Sequence, residues 1–385
     1  MRYLKILEYA LASLLRRPGK TCAILVVYTL MIVVLASVLF LTQALKTEAT
    51  TMLAGGPQLV VQKTMAGRHE LIPVSAVEKL VEIPGVKAVK PRVWGYYYDA
   101  LTGTNYTLQG FDTLANELSL LNGRLPREEG ECAIGAGVAR SRLIHLQDEL
   151  ILIDYDNIGR IFTVTGVFVS AADLLTQDLV VMPEGPLRQF FGMPDSLATD
   201  LAVEVYNPNE VDTIANKIKR SLPDSRPITQ SELLRTYHAV FDWRGGMMLA
   251  LFSSALMAFC ILAWDKATGL SAGERREIGI LKAVGWDTGD VLLLKLWEGL
   301  ALSLLAFLSG CLIAFILVFW WGTPVLGGIL RGWSVLFPAL RPTPFIDFYQ
   351  LGTLAFLTII PYVASTVIPA WRAAVTDPDE VMRAS

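Results

Sequence analysis

Histidine and cysteine are scarce in this chain, three and four among 385 residues. His69, His145 and His238 stand far apart, and none has metal-ligand spacing with another histidine or a cysteine. Cys22, Cys260 and Cys311 fall in uncharged segments. Cys132 is alone in the large polar segment, which has no internal disulfide to close and must rely on a packed core. The sequence contains no G-x-x-x-x-G-K-[ST] phosphate loop and no nucleophile elbow, and Gly135-Ala136-Gly137 is too short a run to argue for a nucleotide site. No catalytic, cofactor-binding or metal-binding residue is therefore assigned, and an enzyme is not expected. Excess positive charge is lacking too. Residues 46–244 carry 19 basic and 25 acidic side chains, a net of −6, which argues against a nucleic-acid partner.

Charge is almost absent from four long segments: Thr21–Leu45, Gly245–Trp264, a run that begins after Glu298 and continues to Leu330, and Phe348–Trp371. A helix needs about 20 apolar residues to cross a bilayer, and each segment supplies them. The third is longer than one crossing and divides into a helix over Val291–Trp321 and the start of a loop. The first is too long for a cleaved signal peptide, and no lipobox cysteine follows it. No span has an ionisable residue in its middle, which disfavours an ion-coupled transporter. The fold expected is an α-helical membrane protein with four transmembrane helices plus a large α+β extracytoplasmic domain between helices 1 and 2.

Arg2, Lys5, Arg16, Arg17 and Lys20 against the single acid Glu8 place residues 1–20 in the cytoplasm. The order that follows is 1–20 cytoplasmic amphipathic helix, 21–45 first span, 46–244 outer domain, 245–264 second span, 265–290 cytoplasmic loop, 291–321 third span, 322–347 outer loop, 348–371 fourth span and 372–385 cytoplasmic tail. Trp243, Trp264, Trp320, Trp321 and Trp371 mark the ends of spans, where an amphipathic ring sits best.

Residues 2–17 read as a helix with Leu4, Leu7, Leu11, Leu14 and Leu15 on one face, fit to lie in the headgroup layer. The outer segment alternates strands and helices. Strands are expected at Pro57–Lys63, Asn105–Gln109, Glu149–Asp154, Ile161–Val167 and Leu201–Tyr206, and an extended run at Val86–Asp99. Helices are expected at Ser75–Glu82, Gly137–Ile144 and Glu210–Arg220. Residues 57–110 and 200–230 are expected to form one discontinuous unit with 111–199 inserted. In the third span Ser303, Ala306, Gly310 and Ala314 form a small-residue stripe that lets helices approach closely, facing either another span or a second subunit. Pro361 is expected to kink the fourth span.

Between the second and third spans lies a charged run, Glu274-Arg275-Arg276-Glu277-Ile278-Gly279-Ile280-Leu281-Lys282-Ala283-Val284-Gly285. Ser271 and Glu274 have capping-box spacing, so a helix should start near Ala272 and stop at Gly285. Ile278, Leu281 and Val284 fall roughly on one side, and Asp287 or Thr288 should cap the next helix. Such a helix is stranded at the membrane surface, where a partner can push on it.

The run resembles the E-I-G…K-A-x-G signature of the FtsX/MacB-like ABC transporter permease family. The ending Pro369-Ala370-Trp371-Arg372-Ala373-Ala374, Asp377-Pro378, Val381-Met382-Arg383 is similar to that family's terminal motif, with Trp371 at a place usually small or basic. Asn122-Gly123-Arg124 followed by Gly135, Ala139 and Val164–Val167 is similar to the outer domain of MacB-like members. The resemblance implies a permease subunit in a bacterial cytoplasmic (inner) membrane with both termini cytoplasmic. It implies a cytoplasmic ABC ATPase subunit that uses the ATP, so that no cofactor binds this chain directly. With about 20 residues ahead of the first span, the ATPase is expected on a separate polypeptide. A second permease subunit (homo- or heterodimer), a periplasmic adaptor and membrane lipid complete the implied partners. Glu274, Arg275, Arg276, Glu277, Ile278, Gly279, Leu281, Lys282 and Gly285 would couple to the ATPase. The function implied is transmission of ATP-driven motion to the outer domain for export or extraction of cargo. The alternative is an FtsX-like regulator that activates a cell-envelope hydrolase, and the roughly 200-residue outer domain is larger than such an activator needs.

Overall fold

Where charge is absent the chain is helical. The computed structural model describes residues 2–16, 18–110, 120–168, 177–268, 279–321 and 344–375. Helix α1 spans Arg2–Arg16. Helix α2 spans Pro18–Ala54, with Pro18 at the first turn, where its missing N–H costs nothing. The chain divides into a helical unit, the described residues within 2–43, 243–321 and 344–375, and an α+β unit over 44–242.

In the α+β unit the first strands and helices are β1 (Leu59–Met65), β2 (Arg68–Glu70), β3 (Ile72–Pro73), α3 (Ala76–Val81) and β4 (Val86–Arg92). The middle of the unit supplies β5 (Trp94–Asp99), β6 (Thr104–Gly110), β7 (Leu120–Gly123), β8 (Glu131–Gly135), α4 (Ala136–Arg142), β9 (Glu149–Ile153), β10 (Gly159–Phe168), β11 (Leu179–Met182) and α5 (Glu184–Phe191). It ends with β12 (Leu197–Ala198), β13 (Asp200–Val205), α6 (Val211–Ser221) and β14 (Ser225–Thr229).

Two lobes result. The first is an antiparallel sheet in the order β14-β1-β13-β4, with β2 on β1. Its inward residues Leu59, Val61, Leu201 and Val203 meet Leu80 of α3 and Ile214 and Ile218 of α6. The second is a mixed sheet in the order β5-β6-β11-β8-β10-β7, with β9 on β10. There β6/β11 and β8/β10 pair in parallel. Leu108, Ile134, Val164 and Val180 pack beneath Val138 of α4 and Leu187 and Phe190 of α5. The expected division at residue 110 is corrected: β5 and β6 belong to the second lobe, and the chain crosses at Val93 and is back in the first lobe by Leu197, where β12 pairs with β3. The run Val86–Asp99 concealed that crossing because it is strand-forming throughout.

Helix α7 covers Gln230–Thr268, α8 Thr288–Phe319 and α9 Phe348–Val375. Four helical stretches are long and apolar enough to cross a membrane: Pro18–Thr51, Gln230–Ile261, Thr288–Phe319 and Phe348–Trp371. A 32-residue helix is about 48 Å long against a hydrocarbon core of about 30 Å, so helix continues well beyond the greasy stretch. Inside the α+β unit the ends of α2 and α7 are pinned together. Lys46 pairs with Asp242, Gln230 donates its amide N–H to the Leu53 carbonyl, and Thr50 Oγ1 lies 3.4 Å from His238 Nε2.

In the helical unit Tyr28 of α2 is the central ring. It stacks on Phe259 of α7 at 5.2 Å and on Tyr362 of α9 at 4.8 Å, and its hydroxyl donates to the Thr358 carbonyl at 2.5 Å. Three helices thus meet at one ring, and its hydroxyl ties α2 to α9 where lipid offers no alternative partner. Pro361 and Pro369 lie inside α9, and each withholds a backbone donor there.

Candidate functional site

The charged run ends in a helix stop built by glycine. Residues 279–283 are helical, and Gly285 takes a φ of +100°, a conformation that favours glycine. The Trp286 N–H donates to the Leu281 carbonyl at 3.0 Å and the Gly285 N–H to the Lys282 carbonyl at 3.0 Å. This nested pair is the Schellman arrangement, which satisfies carbonyls otherwise orphaned at a helix end. Asp287 is the N-cap of α8, and its own N–H is accepted by the Asp290 carboxylate at 3.1 Å. Only three residues, Val284 to Trp286, separate the last helical residue from that cap, so the turn holds one helix against the next with little slack. Glu274, Arg275, Arg276, Glu277 and Ile278 lie outside the described residues.

The corner is seated on α1. Leu281 and Leu294 are buried with Ile6 and Ala10, and Tyr9, Trp286, Leu293 and Trp297 pack around them. The Tyr9 and Trp286 rings are 5.6 Å apart, and the Arg16 guanidinium lies 5.1 Å from the Tyr9 ring centre. The Ser13 hydroxyl donates to Glu298, whose other oxygen pairs with Lys295 at 2.6 Å. The face of α1 buried in this corner carries Ile6 and the small Ala10, which permits close helix approach, while Leu11 and Leu15, expected to face the headgroup layer, are exposed. One expectation is corrected. Leu281 and Val284 part company, since Val284, whose N–H closes the last turn onto the Ile280 carbonyl at 3.0 Å, is 75% exposed. Tyr9, Ser13 and Trp286 went unassigned in the sequence. Lys295 and Glu298, at i,i+3, were the one available signal.

Elsewhere the small residues of α8 face inward. Ser303, Ala306 and Ala314 are fully buried. A Cβ on Gly310 would lie 2.7 Å from Ile32 Cγ2 and 3.3 Å from the Thr29 carbonyl oxygen, both on α2. Gly310 is therefore covered by α2 of the same subunit. In the α+β unit Cys132 is fully buried, and burial pushes its thiol up to about 12, so it is no nucleophile near neutrality. Among the described residues no group of three or more His, Cys, Asp or Glu could hold a metal ion.

Comparison with known proteins bears on this arrangement. The MacB-like periplasmic core domain matches residues 24–221, and the FtsX-like permease C-terminal domain matches 247–378. No curated protein matches the chain. Among solved structures, the periplasmic region of MacB from Actinobacillus actinomycetemcomitans is 15% identical with a TM-score of 0.35, over 46% of this chain and 91% of that one. The extracellular domain of the noncanonic ABC-type transporter YknZ from Gram-positive bacteria is 14% identical with a TM-score of 0.33, over 45% of this chain and 100% of that one. The assignment rests on the two domain matches, which account for the α+β unit and for the helices flanking the charged corner. The chain belongs to the MacB/FtsX-like family of ABC-type permeases, the family of the non-ATPase subunit.

Proposed function

We propose that this permease passes ATP-driven motion from a separate ABC ATPase subunit, through the loop 265–290, to the α+β unit on the far side of a bacterial inner membrane. In this reading both termini are cytoplasmic and the assembly contains two permease subunits. Glu274, Arg275, Arg276, Glu277 and Lys282 meet the ATPase by charge, and Gly279 lies on the approach face. The observation that carries the reading is the corner itself. Leu281 and Trp286 are locked by the Schellman turn at Gly285 and packed on Ile6, Ala10 and Leu294. A push on the preceding helix would then reach α1 and α8 together, since packed interiors transmit displacement instead of absorbing it. We assign the output to export or extraction of cargo, because a two-lobed unit spanning 44–242 offers more surface than activation of a hydrolase requires. The test is co-purification of the ATPase with the tagged full chain. Arg275→Glu with Arg276→Glu should reduce recovered ATPase about tenfold or more, as expected when two interface charges meet like charges. Undiminished recovery would overturn the proposal.

A further inference from the structure

Among the described residues the two lobes of the α+β unit are joined by two chain crossings, Arg92-Val93-Trp94 outward and Pro194 to Asp200 back, with Leu197 and Ala198 already paired to β3 of the first lobe. Such a joint is where a hinge would be sought. Hinges are a few positions that absorb backbone rotation, and these are poorly suited to it. Neither crossing contains glycine, Pro91 fixes φ just before the first, and Val93 is buried at 1% exposure.

The crossings are also stitched to each other. Asp200, 1% exposed, accepts from Arg92 Nε at 2.6 Å and Nη2 at 2.8 Å, and from Trp94 Nε1 at 2.9 Å. Next to it the Thr199 N–H donates to the Arg92 carbonyl at 2.9 Å. The Thr199 hydroxyl accepts from the Trp94 N–H at 3.0 Å and donates to its carbonyl at 2.7 Å. Each crossing is anchored a second time inside the second lobe. Gly110 N–H reaches the Val93 carbonyl at 2.9 Å, and Arg188, 8% exposed, donates to the Pro194 and Leu197 carbonyls at 2.9 and 2.6 Å. One carboxylate thus receives three charge-assisted or indole donors from the outward crossing. Arg92 faces Asp200 within the first lobe's sheet and holds its carboxylate in place, and Trp94, the first residue of the second lobe, bonds to that carboxylate and to Thr199. Rotation at the joint would break the Trp94 bonds and leave a nearly buried carboxylate short of a donor, which is disfavoured.

We infer that Arg92, Trp94 and Asp200 are positioning residues that make this neck a stiff joint, so that the two lobes move as one body. The stiffness stands on the neck geometry alone. Its use, delivery of motion from the helix ends at Ala54 and Gln230 through the first lobe to the second, rests on the proposed function.

The experiment measures a distance between lobes in the full chain in lipid nanodiscs. Cys22 and Cys311 are replaced by serine, and nitroxides are placed at Glu78→Cys and Glu129→Cys, both exposed. The intact neck should give one narrow distance distribution by pulsed electron resonance. Asp200→Asn should broaden it about twofold and speed amide exchange at Trp94 and Thr199 about tenfold or more, with Leu108 and Val203 unchanged inside their lobes. Arg92→Lys, which keeps charge but loses the bidentate fork, should fall between. Should Asp200→Asn fail to fold, Trp94→Phe removes the indole donor while keeping an aromatic ring and should broaden the distribution measurably. A broad distribution with the neck intact, or a narrow one in the folded variants, overturns the inference. No ATPase takes part, so loss of the proposed function would leave this result standing, and the reverse.

Discussion

Gly310→Ala tests how the helical unit is packed. An added methyl carbon would sit 2.7 Å from Ile32 Cγ2 and 2.9 Å from Ile32 Cβ, where ordinary contact begins near 3.4 Å. Rotating Ile32 moves Cγ2 but leaves Cβ in place, and the Thr29 carbonyl at 3.3 Å is backbone. The clash is therefore relieved only by separating α2 from α8 by roughly half an ångström or more, a strain of the kind that costs about 1–3 kcal/mol in a packed core. The separation also loosens the Phe40 contacts with Phe315 and Phe319, at 6.4 and 6.5 Å. Thermal unfolding of the purified chain in detergent, followed by tryptophan fluorescence, should fall by about 2–10 °C at the usual few degrees per kcal/mol. Gly246→Ala, where nothing lies within 4 Å of the new carbon, is the control and should not fall. In the Ile32→Ala background the Gly310→Ala cost should shrink by about 1 kcal/mol, because contacting sites couple. Strict additivity, or an unchanged melting temperature with a weakened dimer, would refute this packing and turn the stripe toward a second subunit.

Two further outcomes concern the second lobe. Gly123 has a φ of +89°, and a Cβ there would run into the Thr165 carbonyl oxygen and Leu146. Gly123→Ala should therefore cost more than about 2 kcal/mol, read as faster proteolysis of residues 94–199 with the spans still folded. Arg124 holds the Glu131 carboxyl down to about 2, chiefly by direct hydrogen bonds and helped by the Arg127 and Glu128 N–H groups. A depressed carboxylate contributes stability above its unfolded value near 4.3, lost as pH falls through the folded value. Arg124→Ala should then separate from the parent in acid titrations at neutral pH and above 4, and the two curves should converge near pH 2. Curves that stay apart below pH 2 would contradict the assignment.

These residues also show which parts of the molecule could be read in advance. Asn122-Gly123-Arg124 was visible only as a resemblance, yet each later residue has a local reason. Gly123 allows the positive φ beside β10, and the Arg124 N–H reaches the Thr165 carbonyl at 2.9 Å while its side chain closes on Glu131. The four long helices were legible because bilayer crossing demands an uncharged run, and charge is read residue by residue. Their true lengths were not. Charge at Lys46 and Arg244 marked the edge of lipid, but Lys46–Ala54 and Gln230–Asp242 remain helical because they have each other to lean on.

Pairing hides from a single chain in the same way. The sequence marks β6 and β10 as strands, whereas β11 is a short wholly apolar run, and the parallel pairs β6/β11 and β8/β10 join residues some 30 to 70 positions apart that nothing local encodes. The neck is the sharpest case. Arg92 and Asp200 are single charges more than 100 positions apart, and only the register that sets them opposite turns them into a bidentate pair. The Leu281 corner lies between these extremes. Its glycine stop and aspartate cap were written locally at Gly285 and Asp287, whereas its seat on Ile6 and Ala10 required α1 to fold back on α8. Local chemistry thus specified where the corner ends, and long-range packing specified what it bears on, which is why, under the proposed function, substitutions at Ala10 should reveal more about transmission than substitutions at the better-marked leucines of α1.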